Sequence, residues 1–239
     1  IEDEEIILGN DAADVPNAGT IITSKTLNVS TLADDYVVEI VDGVYKLKYT
    51  KTYTVTLPAA PANTVWYCNG QEVTGPVYAE YGSNVTITLK PAEGCSFSDG
   101  AAELTVIEIS AIGADTEVTL DNVTVPEAFQ VVAKIGDTPY ASLQAAYAAA
   151  EAESTIVLCK DVTGAGLVID KSVTIDFGGN TYTFNDGVGN VPSNGFQILN
   201  GNTVPLKNGE LNVDAGSADK FYTLIQNYAN LTVEDMVLD

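Results

Sequence analysis

Apolar and polar residues alternate with a period of two along most of this chain, the pattern of strands with one face buried. The alternation is cleanest from Lys51, where Tyr53, Val55 and Leu57 share one face and Thr52, Thr54 and Thr56 the other. Pro58-Ala-Ala-Pro61 interrupts it, Val65–Cys68 resumes it, and Asn69-Gly70 turns the chain. Further runs follow at Val77–Glu80, Val85–Leu89, Leu104–Ile109 and Glu117–Val125. Upstream, Thr20–Thr23, Thr26–Val29 and Tyr36–Ile40 are β-type runs, and Val41-Asp-Gly-Val44 reads as a hairpin turn into Tyr45–Tyr49. Short strands separated by turn residues predict a β-sandwich or related all-β module. One segment departs from this period. Ser142–Ala150 places Leu143, Ala146, Tyr147 and Ala150 on one helical face, with Ser142 as N-cap.

The C-terminal part repeats. Val173-Thr-Ile-Asp-Phe-Gly-Gly, Val204-Pro-Leu-Lys-Asn-Gly and Leu231-Thr-Val-Glu-Asp start 31 and 27 residues apart. Each copy continues past a Gly, Asn or Asp corner into a second apolar pair: Tyr182/Phe184, Leu211/Val213 and Met236/Leu238. Such a strand–corner–strand repeat predicts parallel strands stacked in register, a β-solenoid. The helix, within residues 139–152, is expected to cover its first coil. The predicted organisation is a strand-rich segment over 1–51, an Ig-like or β-grasp module over 52–129, and a helix-capped right-handed parallel β-helix over 130–239. In this register Ile175, Leu206 and Val233 form an inward column, and Asp176, Lys207 and Glu234 an outward one. A further stretch of chain or a partner is expected at the C-terminal end, because nothing after Leu238 reads as a cap.

Composition changes the picture mainly by exclusion. Ten lysines, no arginine and no histidine stand against 33 acids, a formal charge of −23. A surface this negative repels phosphate backbones and anionic membrane surfaces, and without arginine it lacks the usual fork for phosphate or guanine. No apolar run reaches the roughly 20 residues of a spanning helix. The chain begins at Ile1 rather than Met, which leaves room for a removed signal peptide, and Ile1-Glu-Asp-Glu-Glu reads as a mobile acidic lead-in. Three cysteines exclude a disulfide framework and lack zinc-site spacing. Cys159 reads as a small buried hydrophobe. Cys68 and Cys95 lie in one predicted module and are either bridged, worth about 3–4 kcal/mol in the chain-entropy description, or free.

Several polar clusters offer candidate chemistry. Asp176, Lys207 and Glu234 offer two acids roughly 9.6 Å apart across two strand spacings, near the separation of a glycosidase pair; the simpler reading is a ladder of alternating charge. Lyase chemistry commonly wants Arg or Lys as base, and only Lys160, Lys171, Lys207 and Lys220 fall in the repeat region. Asn185–Asn190 and Asp214–Asp219 offer oxygen donors but match no calcium-loop pattern and read as solvated turns. Gly178-Gly-Asn is not a phosphate loop, since no helix with Lys-Ser/Thr follows. Asn28, Asn84, Asn122 and Asn230 match the glycosylation pattern, which carries no weight in a strand-rich chain. Trp66 with Tyr67, and Tyr222 and Tyr228, are candidate aromatic contacts; Trp66 reads more simply as core. No catalytic, metal or cofactor-binding residue is assigned, and no cofactor is expected.

Ala133-Lys-Ile-Gly-Asp-Thr-Pro-Tyr-Ala-Ser-Leu-Gln-Ala-Ala-Tyr, Ser154-Thr-Ile-Val-Leu-Cys-Lys-Asp-Val and Val173-Thr-Ile-Asp-Phe-Gly-Gly-Asn-Thr-Tyr resemble the start of pectate-lyase-like right-handed β-helix domains in adhesin-like surface proteins of Gram-positive gut bacteria. Residues 52–125 resemble, less specifically, the Ig-like or β-grasp repeats of the same proteins. The resemblance implies a non-enzymatic extracellular or cell-surface protein acting in structural presentation or adhesion, toward a glycan or protein ligand. A phage or virion fibre or decoration protein is one alternative, and a polysaccharide lyase or glycoside hydrolase another.

Overall fold

A computed structural model describes residues 20–21, 35–41 and 44–239. The expected runs Thr23 and Thr26–Val29, the Asp42-Gly43 turn and the acidic lead-in lie outside the described residues. Contacts group the chain into two units, one of Ile1–Lys90 with Glu103–Val125, the other of Pro91–Ala102 with Pro126–Asp239.

In the first unit Val44–Tyr49 pairs antiparallel with Tyr36–Val41 and with Thr20–Ile21. A four-stranded sheet runs in the order Leu104–Ile109, Val85–Pro91, Thr64–Cys68, Gln71–Val73, and a three-stranded one in the order Thr116–Glu117, Thr52–Thr56, Val77–Glu80. The alternation read from the sequence sets which side chains go inward. Val55, Val85, Ile87 and Leu89 are buried, and Trp66 is buried with its indole N–H donating to the Pro58 carbonyl at 2.9 Å.

The Ig-like expectation is corrected here. Thr116–Glu117 joins Thr52–Thr56 in parallel, where an Ig sandwich is antiparallel throughout. Of the expected Glu117–Val125 run only Glu117 is strand, as the end of Thr116–Glu117. Cys95–Phe97 lies within the expected 52–129 module but belongs to the second unit, where it pairs with Ala128–Gln130.

The second unit is built on a curled sheet with one short α-helix and one 3-10 turn, Ala218–Lys220. Ala133–Ile135 pairs antiparallel with both Thr138–Tyr140 and Thr155–Leu158. From there the pairing is parallel: Thr155–Leu158 with Thr174–Asp176, Thr174–Asp176 with Thr203–Val213, and Thr203–Val213 with Asn230–Leu238. A second row, Val162–Ala165 and Thr181–Asp186, joins the same Thr203–Val213 strand. A smaller parallel sheet comprises Leu167–Ile169, Asn194–Ile198 and Thr223–Asn227.

The stacked right-handed β-helix is therefore also corrected: the architecture is a half-barrel sheet with antiparallel strands at its start. The physical reason lies in the eleven-residue strand Thr203–Val213, which spans the corner unbroken and makes the two rows one continuous sheet. Asn208 at that corner has φ +60°, in the left-handed region that Asn tolerates better than most residues. One such residue resets the alternation, so Val204 and Leu206 before it and Leu211 after it all point inward and are fully buried.

Register follows the apolar pattern. Ile156, Ile175, Leu206 and Val233 occupy one row of partners; the first three are fully buried, whereas Val233 is 43% exposed. Tyr182, Phe184 and Phe196 fill the interior with edge-on and tilted ring contacts, Phe184 and Phe196 having centroids 4.9 Å apart. The helix Leu143–Ala149 is shorter than the 139–152 segment expected to contain it, since Thr138–Tyr140 is strand. The Ser142 hydroxyl accepts from the Ala145 N–H, and Leu143, Ala146 and Tyr147 are buried against the strands that open the sheet.

At Gly209, next to the corner, a Cβ would meet the Phe177 Cβ and come within 2.5 Å of the Asn180 carbonyl oxygen. Replacing Gly209 by Ala is expected to cost about 1–3 kcal/mol through overpacking, and Leu206→Ala about 2–5 kcal/mol through a cavity. Lys207→Ala, removing a partly exposed pair, should cost no more than about 1 kcal/mol. Urea unfolding of the three variants checks this order; a Lys207 variant weaker than the Leu206 variant would contradict the packing described.

Candidate functional site

The strongest candidate from the sequence, the Asp176–Lys207–Glu234 column, is assembled by strand register. Asp176 lies opposite Lys207, and Lys207 opposite Glu234. The Lys207 ammonium stands 3.5 Å from Asp176 Oδ2, while Asp176 Oδ1 accepts from the Gly178 N–H at 2.9 Å and from Asn208 Nδ2 at 3.1 Å. Burial by itself would raise the Asp176 pKa; the bonds from Gly178 and Asn208 and the charge of Lys207 outweigh it and hold the carboxyl below its usual range. Such a carboxylate stays ionised and occupied, the state of a clasp across the corner rather than of a general acid. Glu234 is exposed at the free side of the same row.

The other lysine with several contacts also holds structure. Lys171 Nζ donates to the carbonyls of Tyr147 at 2.8 Å and Ala150 at 2.7 Å and lies 4.7 Å from the Tyr147 ring centroid, so it satisfies the carbonyls left at the helix C-terminus. The Tyr147 hydroxyl donates to Asp170 Oδ1 and accepts from the Asp170 N–H, both at 2.7 Å. Burial first, and then the Asp170 hydrogen bond, push this phenol up to about 12. The Tyr182 hydroxyl donates to the Ala165 carbonyl at 2.8 Å and accepts from Gln144 Nε2 at 2.9 Å; burial raises its pKa, partly offset by the Gln144 bond. Lys160 donates to Gln130 Oε1 at 2.7 Å.

The remaining candidates are dispersed. Asp186 and Asp214 accept from the Gly187 and Gly216 N–H groups of their own turns. Among the described residues no group of three or more Asp, Glu, Cys or His side chains could hold a metal ion. All three cysteines are free, and burial raises the Cys68 thiol. Cys159 is exposed, not the buried hydrophobe expected, because it continues the alternation of Thr155–Leu158, in which Ile156 and Leu158 point inward and Val157 outward. Asn28 lies outside the described residues; the Asn84 carboxamide oxygen accepts from the Ala111 N–H. Tyr67 lies beside Lys90, whose ammonium is 4.7 Å from its ring centroid, while Trp66 and Pro58 line an open groove of about 320 Å³ bordered by Glu72. Tyr222 and Tyr228 are exposed on either side of the strand Thr223–Asn227.

Three polar clusters had no signal in the alternation: Tyr147 with Asp170 and Lys171, Gln144 with Tyr182, and Asn194 with Gln197 and Gln226. In the last, the Gln226 carboxamide oxygen accepts from Gln197 Nε2 at 2.5 Å and Asn194 Nδ2 at 3.0 Å. Each cluster is closed by hydrogen bonds between residues 23 to 38 positions apart, beyond the reach of any local period.

No protein family, no curated protein and no solved structure matches this chain. The resemblance to adhesin-like proteins with pectate-lyase-like and Ig-like domains is thereby overturned, together with the architecture it implied, and no family residue roles are carried to this sequence.

The pKa directions give a pH signature. Asp176 is depressed in the folded state, so its contribution is present above the unfolded value of 3.8 and is lost as pH falls through the lower folded value. Tyr147 is raised, so its contribution is full below 10.0 and is lost as pH rises toward about 12. Asp176→Asn should flatten the acid limb of stability against pH, and Tyr147→Phe the alkaline limb. Chemical unfolding across pH, each variant against the parent, checks both; parallel curves would contradict the assigned partners.

Proposed function

We propose that this chain is a non-enzymatic structural module that acts outside the cell in presentation or adhesion. The observation that carries the reading is that the candidate polar groups are spent on structure: Asp176 is held by Lys207, Gly178 and Asn208 at the corner, and Lys171 caps the carbonyls of the helix C-terminus. The acid excess supports solubility in an exposed setting, and the polar clusters are engaged in holding corners and helix ends.

The enzyme alternative makes a distinct demand, a turnover that depends on the charge column. Incubation with polygalacturonate and other acidic glycans, with and without calcium, is expected to release neither unsaturated nor reducing ends above the rate of a heat-unfolded control. Turnover abolished by Asp176→Asn or Lys207→Ala would overturn the structural reading.

A further inference from the structure

We propose that the side chains of Gln130 and Lys160 become joined by an isopeptide bond, and that the Cys95 thiol is the nucleophile that forms it. Each chain carries out this step once, as a maturation of the structural module and not as turnover.

Gln130 and Cys95 are register partners in the antiparallel pair of Cys95–Phe97 with Ala128–Gln130, and Cys95, Gln130 and Lys160 all belong to the second unit. The Gln130 carboxamide bridges the other two side chains. Its Nε2 lies 3.7 Å from Cys95 Sγ, and its Oε1 accepts from Lys160 Nζ at 2.7 Å. The backbone is fixed around them: the Val131 N–H donates to the Gly94 carbonyl at 2.9 Å, and the Cys159 N–H to the Val132 carbonyl at 2.8 Å. Groups carried on paired strands hold their separation better than groups on loops.

Charge alone does not account for the contact. With 10 lysines against 33 acids, an ammonium has many carboxylates to choose from, yet Lys160 makes no ion pair among the described residues and holds a neutral amide. Cys159, the exposed thiol beside Lys160 in sequence, sits 3.7 Å from the Val157 carbonyl of its own strand and not against a carboxamide. A thiol against a carboxamide whose oxygen faces an ammonium is an arrangement for acyl transfer. It supplies a sulfur nucleophile, an acyl carbon and a positive charge where the oxyanion develops.

The step balances without an oxidant or other co-reactant. The Cys95 sulfur adds to Gln130 Cδ, the C–N bond breaks, and the thiol proton leaves with the nitrogen as ammonia, giving a thioester. Lys160 Nζ yields a proton to that ammonia and attacks the same carbon. The C–S bond then breaks, and the sulfur takes a second proton from the attacking nitrogen. The products are an amide between Gln130 and Lys160, a free Cys95 thiol and an ammonium ion. Gln130 and Lys160 are exposed, so the ammonium escapes to solvent. The bond spans 30 positions of chain and ties Ala128–Gln130 to the segment that leaves Thr155–Leu158.

Mass spectrometry of the full chain, intact after reduction and denaturation and again after proteolysis, tests the proposal. After incubation at mildly alkaline pH, which populates thiolate and free amine, the parent should be lighter by one ammonia and yield a branched peptide joining Gln130 to Lys160. Cys95→Ala should keep its full mass. Lys160→Arg should stop at the thioester and take up added methylamine at Gln130, which the parent should not. Cooperative unfolding of both variants shows that they fold. Full mass in the parent would overturn the cross-link, as would a loss of ammonia mapped to an Asn-Gly turn such as Asn69-Gly70. A branched peptide formed equally well in Cys95→Ala would overturn the role of the thiol. A parent that takes up methylamine and gives no branched peptide would overturn Lys160 as the acceptor.

Discussion

The second unit depends on the left-handed residue at Asn208. A strand bent at that point keeps hydrogen bonding on both of its arms, so Thr174–Asp176 and Thr181–Asp186 attach to one edge of Thr203–Val213 and Asn230–Leu238 to the other. Without the phase reset, either Leu206 or Leu211 would face solvent, since a strict period of two cannot place residues five apart on one face. The polar groups nearby serve the same corner: the Asn208 carboxamide donates to Asp176, and the Asn208 carbonyl accepts from the Gly179 N–H. Gly209 then gives the Phe177 side chain and the Asn180 carbonyl room to approach the strand.

Electrostatics in this chain is a matter of scarcity. With 10 lysines against 33 acids, each ammonium that closes a contact removes one of few available counter-charges. Lys207 neutralises Asp176 across a strand pair, Lys90 pairs with Glu103 at 2.8 Å, and Lys171 serves helix carbonyls in place of a carboxylate. The exposed pairs add little to stability. Their effect is on register, since a slip of one residue would set Asp176 or Glu234 against a different neighbour.

Local pattern determined much of this protein. The period-two runs locate the strands Thr52–Thr56, Thr64–Cys68 and Val77–Glu80, the α-helix is legible from Leu143, Ala146 and Tyr147, and the repeat by itself pairs Ile175 with Leu206 and Val233. These features depend on residues within a few positions of one another or on a pattern that recurs in phase. Tertiary structure alone decided that the rows form a curled half-barrel and not a stacked helix, and that Thr116–Glu117 runs parallel to Thr52–Thr56. It also decided that Tyr147 meets Asp170 and that Gln144 meets Tyr182. The reason is physical: alternation specifies which face of a strand is apolar, but strand partners and side-chain contacts across 20 or more residues are chosen by the packing of the whole sheet.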